Sequence, residues 1–110
     1  MGATFVQDDE MVDYTPGADV AAGAVVVQTD LVGVALRPIP ANTLGSLAVE
    51  GVFDFPKSTA GGSAIAAGVT VYWSTGAQQA TATSAGNKLL GKTVRAAADA
   101  DATVRVRLMQ

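Results

Sequence analysis

The stretch GSAIAAGVTVYWST, residues 62–75, decides the fold. It holds the only tryptophan of the chain, Trp73, next to one of the two tyrosines, Tyr72. After Gly68, Val69, Val71 and Trp73 alternate with Thr70, Tyr72 and Ser74. A period of two with β-branched and aromatic residues is typical of a half-buried strand. We therefore predict a strand with Trp73 facing the core and Tyr72 on the opposite face.

A weaker copy of this stretch lies earlier in the chain, at residues 17–30, with the sequence GADVAAGAVVVQTD. Placing Gly23 on Gly68 also places Val20 on Ile65 and one Ala-Ala pair on the other. Each of these glycines is predicted to lie in a turn, where glycine adopts backbone conformations that are closed to other residues.

The segments that follow the two copies are also similar, because KLLGKTV matches LVGVAL when Gly91 is set on Gly33. We interpret this as an internal duplication with half-repeats at residues 17–56 and 62–110, preceded by an N-terminal arm at residues 1–16. Chance similarity between segments rich in Ala, Gly and Val is the alternative.

Short strands and turns at close spacing make up most of the chain, which at 110 residues is most simply one domain. Two alanine-rich windows, residues 60–67 and 96–102, are the only candidates for helix. Both are shorter than the roughly 12 residues that a helix usually needs for stability. The predicted fold class is all-β, a small barrel or sandwich with at most one or two short helical turns.

Charge is distributed unevenly along the chain, whose net charge is −3. Residues 1–30 contain six acidic residues and no base, whereas five of the seven bases lie from Lys88 onward. A negative net charge gives no electrostatic case for nucleic acid. The asymmetry is typical of head-to-tail contact within a chain or between copies, and solvated chain ends are the alternative.

Catalytic chemistry has few possible carriers, because the chain contains no histidine and no cysteine. Triads of the Ser/His/Asp and Cys/His types therefore cannot form, and the commonest metal ligand is missing. No apolar run approaches the ~18 residues of a membrane span, and the N-terminus has no secretory signal pattern. We expect no enzyme, no cofactor, no metal and no membrane partner.

One motif points the other way, since residues 86–93 read GNKLLGKT and match the phosphate-binding P-loop pattern G-x-x-x-x-G-K-[ST]. In a P-loop, Lys92 would reach the phosphate oxygens and Thr93 would hold magnesium. The motif works only between a buried parallel strand and a helix. The preceding ATATSA is no such strand, and only 17 residues follow Thr93. We therefore interpret Gly86, Gly91, Lys92 and Thr93 as a chance match.

Several stretches, taken in order, resemble a phage family, the capsid cement or decoration proteins, whose members are often labelled recombinases of the RecA/RadA type. The stretches are FVQ at residues 5–7, VEGVFDFPK at 49–57, AIAAGVTVYW at 64–73, GNKLLGKTV at 86–94 and ADATVRVRL at 100–108. The resemblance implies a small β-rich protein that binds the outside of an assembled phage head, often as trimers. The chain departs from the family where acidic residues follow the glutamine in place of the more usual Gly-Asp.

The expected partners are thus the major capsid protein and further copies of the chain, with a trimer favoured, on the outer capsid surface of the virion. We interpret the N-terminal acids as a solvated arm rather than as a cation site. The face formed by Arg105 and Arg107 is too small for nucleic acid, so we favour a salt bridge from it to another strand or subunit. The candidate capsid or subunit contacts are Phe5, Val6, Asp8, Asp9, Glu10, Tyr72, Arg105 and Arg107. The alternatives are a nucleotide-binding recombination factor and a β-barrel adaptor of a phage tail.

Overall fold

The computed structural model describes residues 11–110, which form an all-β sandwich of two antiparallel sheets without a helix. The predicted fold class is confirmed, as a sandwich. The strands of the described residues are β1 Met11–Tyr14, β2 Val25–Gln28, β3 Leu31–Val34, β4 Gly45–Ala48, β5 Gly51–Pro56, β6 Thr70–Ser74, β7 Gln79–Thr81, β8 Lys88–Thr93 and β9 Thr103–Leu108.

The two sheets repeat one order of strands. The first sheet has the order β1-β4-β3-β2, and the second has the order β5-β9-β8-β6 with β7 added at its edge. Every pairing between named strands is antiparallel. In chain order, β1 to β4 therefore correspond to β5, β6, β8 and β9, and β7 is an insertion in the second half.

Matching backbone hydrogen bonds extend this correspondence to single residues. Gly23 N donates to Ala35 O at 2.6 Å, and Gly68 N donates to Thr93 O at 2.7 Å. Both glycines have positive φ, 85° and 80°, in the left-handed region that favours glycine. The alignment of Gly23 with Gly68 in the sequence thus corresponds to the same turn in the two halves.

In each half, two short segments outside the strands pair with each other through a single bridge, and we name them the first and the second crossing segment in chain order. Val20 and Ile39 form an antiparallel bridge in the first half, and Ile65 and Ala97 form one in the second half. The second bridge joins the two alanine-rich windows, which form turns and a bridge rather than helical turns. Segments of this length gain more stability by pairing with a distant segment of the same chain than by forming a helix, because helix nucleation is costly.

In each half, an aspartate side chain joins the two crossing segments through a hydrogen bond from a backbone N–H. The aspartate and the N–H lie on opposite segments in the two halves. In the first half, Asp19 Oδ1 accepts a hydrogen bond from Ala41 N at 2.8 Å. In the second half, Asp99 Oδ1 accepts one from Ala64 N at 2.7 Å. Asp19 lies at the first crossing segment of the first half, whereas Asp99 follows the second crossing segment of the second half. The two halves therefore make equivalent cross-links with residues at different positions.

The chain passes from the first sheet to the second at Val49 and Glu50. The sequence predicts a single alternating strand over residues 47–55 with a bulge at Gly51, but the structure divides this segment into β4 and β5, which lie in different sheets. Gly51 has φ 126°, which permits the change of direction, and a Cβ there would lie 3.2 Å from the Phe53 ring. In chain order, the first sheet of the described residues consequently begins at β1 and the second at β5.

The predicted N-terminal arm, residues 1–16, includes β1, which pairs with β4 over its whole length, as in Met11↔Ala48 and Tyr14↔Gly45. Val12 and Tyr14 also pack against buried residues. The edge of the first sheet is thus built from the last part of this segment, and residues 1–10 lie outside the described residues.

Two clusters form the interior. The smaller one lies within the first half, where Ala35, Ile39 and Leu47 are buried and Val12, Tyr14, Val20 and Val26 pack against them. The larger one combines the inner face of the second sheet with two valines of β3, and its members are Val32, Val34, Phe55, Ile65, Val71, Trp73, Ala80, Leu90, Ala97, Val104, Val106 and Leu108. The first half therefore packs one face of its sheet on the second half.

Polar contacts also join the halves. The side-chain amide of Gln110 donates to Val32 O and accepts from Val32 N, both at 2.6 Å, so it takes the place of a strand residue beside β3. Lys88 Nζ lies 2.9 Å from Asp30 Oδ1 at the turn between β2 and β3. The C-terminal residue thus completes the ladder where β4 does not reach.

Candidate interaction surface

The P-loop-like segment has the geometry of an ordinary strand. Lys88–Thr93 is β8, which pairs with β6 on one side and with β9 on the other. Its backbone is therefore engaged in two ladders and does not form the loop in which consecutive N–H groups point at a phosphate. Gly86 lies in the preceding turn with φ 73°.

The other motif residues have structural roles in this strand. Thr93 is buried, and its hydroxyl donates to Ala66 O at 2.6 Å and accepts from Val69 N at 3.0 Å. A Cβ on Gly91 would lie 2.0 Å from the carbonyl oxygen of Arg107. The glycine thus allows β8 to approach β9 closely, and the threonine holds the crossing segment to the sheet.

The outer face of the second sheet carries alternate residues of β5, β6, β8 and β9, whose neighbours in sequence point into the core. Trp73 is 2% exposed and faces inward, as predicted, and Tyr72 lies on the outer face. We name this surface the basic face. Its residues are Val52, Asp54, Thr70, Tyr72, Leu89, Lys92, Arg105 and Arg107.

An ion pair across β5 and β9 occupies one part of the basic face. Arg105 Nε and Nη2 donate to the two carboxylate oxygens of Asp54 at 3.0 and 3.2 Å. This hydrogen bond lowers the pKa of Asp54 against a smaller opposing effect of burial, and the charges of Arg105 and Arg95 act in the same direction as the bond. The sequence predicted a salt bridge from these arginines to another strand or to another subunit. Arg105 forms its salt bridge with another strand of its own chain.

Arg107 and Lys92 lie directly opposite one another in the pairing of β9 with β8. Among residues 11–110, ion pairs involve only Lys88 with Asp30 and Arg105 with Asp54. Two like charges on opposed positions repel each other and destabilise a sheet slightly. Their charge is therefore open to an acidic partner.

Apolar side chains border these two bases. Leu89 is 39% exposed, Val52 56% and Met109 41%. Leu89 and Met109 line a shallow depression of about 230 Å³ together with Thr70, Lys92 and Gln110. A mixture of apolar area and unpaired positive charge is typical of a protein contact rather than of a small-molecule site.

Each half also has a groove beside its second crossing segment. The groove of the first half, about 570 Å³, is lined mainly by apolar residues that include Leu36, Pro38 and Leu44, with Arg37 as its one charged residue, and we name it the apolar groove. The groove of the second half, about 280 Å³, is lined by Arg95, Arg105 and Asp54 among others. The two lie at equivalent positions, but their chemistry differs.

Sequence reasoning missed Lys57, which is 4% exposed. Its Nζ donates to the carbonyl oxygens of Ser58, Ala98, Asp99 and Asp101 at 2.7–3.2 Å and to Ser63 Oγ at 3.3 Å. A buried ammonium needs such a set of acceptors. A lysine directly after an apolar strand, in a chain with few charges, was the available signal.

The remaining sequence-predicted contacts, Phe5, Val6, Asp8, Asp9 and Glu10, lie outside the described residues. Within residues 11–110 no group of three or more acidic side chains could hold a metal ion. None of the described segments is a helix long and apolar enough to cross a membrane. The structure thus brings together Tyr72, Arg105 and Arg107 on one face.

Comparison with known proteins gives one family. The family model described as phage cement protein matches residues 6–108, and neither the curated proteins nor the solved structures give a match. The match spans both sheets and therefore the complete repeated scaffold. The suspected family is confirmed. The chain belongs to the phage cement protein family.

Proposed function

We propose that the chain binds the outer surface of an assembled phage head and stabilises it, with the major capsid protein as its partner. The observation that supports this is the family match over residues 6–108, which gives the chain a structural role in the virion. A ligand that binds only the assembled state stabilises it by mass action, in proportion to the logarithm of its concentration over the dissociation constant. No catalytic group is needed for such a role.

The geometry supports a structural role over nucleotide binding. The one motif with catalytic potential is a paired strand, and its threonine hydroxyl is already bonded on both sides. The exposed chemistry of the described residues is instead that of contact surfaces, with apolar area beside charge. A nucleotide-dependent recombination factor has no specific observation in its favour.

Within this proposal, the acidic N-terminal residues contact the capsid shell or a neighbour. The structure sharpens the variant that tests this, because Val12 and Tyr14 pack in the first half and must stay. A deletion of residues 1–10 leaves β1 intact, whereas a deletion of residues 1–13 would remove most of that strand. The neutral variant Asp8→Asn/Asp9→Asn/Glu10→Gln removes the negative charge of the segment but keeps its length. It therefore tests whether binding needs the charge or only the segment.

The decisive experiment mixes purified protein with expanded heads and sediments them. We expect co-sedimentation at a fixed ratio to the major capsid protein, saturable with protein concentration. The deletion of residues 1–10 is expected to abolish it, and Glu50→Gln, at an exposed acid elsewhere, is the control that retains it. Absence of the full-length protein from pelleted heads would overturn the proposal, and co-sedimentation with purified tails instead would indicate the adaptor role.

A homo-oligomer, with a trimer favoured, is part of the same proposal. Only 15% of the residues are charged, and four large apolar side chains in the second half are at least 39% exposed: Val52, Leu89, Val94 and Met109. Exposed apolar area of this kind marks interaction sites more often than free surface. Light scattering on the protein free of capsids gives the number of copies directly.

A further inference from the structure

One row of residues on the basic face crosses four strands of the second sheet. Val52 pairs with Arg107, Arg107 pairs with Lys92, and Lys92 pairs with Thr70. Both bases are exposed, and no ion pair of the described residues 11–110 involves either of them. Two adjacent positive charges repel each other, so an acidic ligand that lies along this row would relieve the repulsion.

An apolar depression adjoins the row at Lys92. Leu89 and Met109, which are 39% and 41% exposed, line it together with Thr70 and Gln110. Apolar side chains at this exposure gain free energy when a partner removes them from water. A ligand that fits both parts of the surface therefore carries acidic residues next to apolar ones.

The chain itself contains a segment of this composition. Residues 5–10 read FVQDDE, in which two apolar residues and a glutamine precede the only three consecutive acids of the sequence. Residues 1–10 include no lysine and no arginine. No side chain of the segment therefore cancels the negative charge of these acids.

The segment begins close to the basic face. Met11, the first described residue, pairs with Ala48, and Ala48 pairs with Val34. Two residues from Val34, the backbone of Val32 is hydrogen-bonded to the side chain of Gln110, which lines the depression. This path of two strand spacings, two residues of strand and one side chain is about 20 Å long. Ten extended residues span about 33 Å, so residues 1–10 can reach the depression of their own chain.

The order of chemistry along the segment matches the order on the face. Counted from Met11, the three acids come first and the two apolar residues follow. Met11 adjoins the passage from β4 to β5 through its pairing with Ala48. Counted from β5, the face presents Arg107 first, then Lys92, and then the depression. Acids therefore meet bases in the same arrangement that brings apolar residues to the depression.

We propose that residues 5–10 lie on the basic face of their own chain in the free protein, with the acids along Arg107 and Lys92 and with Phe5 and Val6 in the depression. Attachment favours this segment over that of a second copy, because a tethered segment within reach has an effective concentration on the order of a millimolar. In the proposed function the same segment contacts the shell or a neighbour, so binding to a head would uncover the basic face. The contact in the free protein does not depend on that step.

Zero-length cross-linking of the full-length protein with a water-soluble carbodiimide tests the proposal. The reagent joins a lysine amine to a carboxylate in contact with it, and tandem mass spectrometry locates the joined residues. The chain has three lysines. Lys88, 2.9 Å from Asp30 Oδ1, is the positive control, and buried Lys57 is the negative control. We expect Lys92 to be joined to the acids at residues 8–10.

An equal mixture of unlabelled and isotope-labelled protein identifies the chain that supplies the segment. A contact within one chain joins two peptides of the same label, whereas a contact between copies also gives pairs of mixed label. We expect pairs of the same label only for the link from Lys92, as for the link between Lys88 and Asp30 within one chain.

Three variants separate a bound segment from one that only collides with Lys92. Arg107→Glu keeps the reacting lysine and reverses the charge beside it, and we expect the yield of the Lys92 link to fall about tenfold. Phe5→Ser/Val6→Ser removes the apolar part and is expected to lower it about fivefold. Arg37→Glu, at an exposed base of the apolar groove, is the matched control that leaves it unchanged. The link between Lys88 and Asp30 checks the fold of each variant.

Three results would overturn the proposal. Absence of the Lys92 link, in a sample that gives the Lys88 link, means that the segment lies elsewhere. Pairs of mixed label assign the basic face to the segment of a second copy. A yield that Arg107→Glu leaves unchanged means collision without binding. Sedimentation with heads remains a separate test, because a protein that gives the Lys92 link but does not pellet with heads contradicts only the proposed function.

Discussion

The two halves of the molecule share a backbone and differ in what fills it. Equivalent pairing positions hold Tyr14 in the first half, opposite Gly45, and Phe55 in the second half, opposite Val104. Phe55 is 1% exposed and lies 6.1 Å from the ring of Trp73, whereas Tyr14 remains partly exposed. The comparison shows that turns and ladders set the scaffold, and that aromatic content decides which half becomes the centre of the core.

The largest expected effect compares the paired glycines of β3 and β8. In Gly91→Ala, the new Cβ would lie 2.0 Å from a backbone oxygen of β9, so the ladder between β8 and β9 must open. We expect the free energy of unfolding to fall by more than about 4 kcal/mol. In Gly33→Ala, it would lie 2.8 Å from Leu47 Cβ, and we expect about 2 kcal/mol. Urea unfolding followed by tryptophan fluorescence measures both. Equal midpoints for the two variants would contradict the closer approach in the second half.

The next effect tests where the core is centred. Phe55→Ala removes a fully buried ring and is expected to cost about 4 kcal/mol. Tyr14→Ala at the equivalent position is expected to cost about 1.5 kcal/mol, because the ring is only partly withdrawn from water. Thermal unfolding by calorimetry compares the two. A larger loss for Tyr14→Ala would show that the first half, and not the second, carries the stability.

The smallest effect compares Asp54 with Asp13, which takes the same place on β1 but faces Ser46 instead of an arginine. The pKa of Asp54 is lowered in the folded state from 3.8, so the ion pair stabilises the protein above that pH and the effect is lost as the pH falls through the folded value. Asp54→Asn is expected to reduce the melting temperature slightly at pH 7 and not at all well below pH 3. Asp13→Asn, the control, is expected to leave it unchanged at both.

A pH-independent difference between wild type and Asp54→Asn would show that this carboxylate contributes through shape rather than through charge. The pair is nearly half exposed on each side, so solvent screening keeps its contribution small.

Local features of the fold could be predicted because they depend on near neighbours. The alternation in residues 62–75 predicted β6 with Trp73 inward, since side chains of a strand point to opposite faces. The same reasoning applies to residues 103–109, TVRVRLM, where the alternation predicts a strand with its two arginines on one face, as β9 has them. The alignment of Gly23 with Gly68 located a shared turn because both need a conformation that favours glycine.

Features that depend on distant partners could not be predicted in this way. The passage between sheets at residues 49–50 lies inside an alternating pattern, and alternation continues across it, so periodicity alone gave one strand. Lys57 is buried only because the turn at residues 98–101 turns its carbonyl groups toward it. Whether the outer face of a sheet is covered depends on the other half, and sequence periodicity contains no such information.

The carbonyl cage around Lys57 gives the molecule a chemical reporter of its own opening. The chain has three lysines, and Lys57 alone is 4% exposed, with its amine enclosed by four carbonyl oxygens and a hydroxyl. Acylating reagents must reach the nitrogen, so Lys92 reacts in the folded protein, and Lys57 reacts only while the turn at residues 98–101 is open. The rate at which mass spectrometry finds the modified residue therefore measures local opening of this turn.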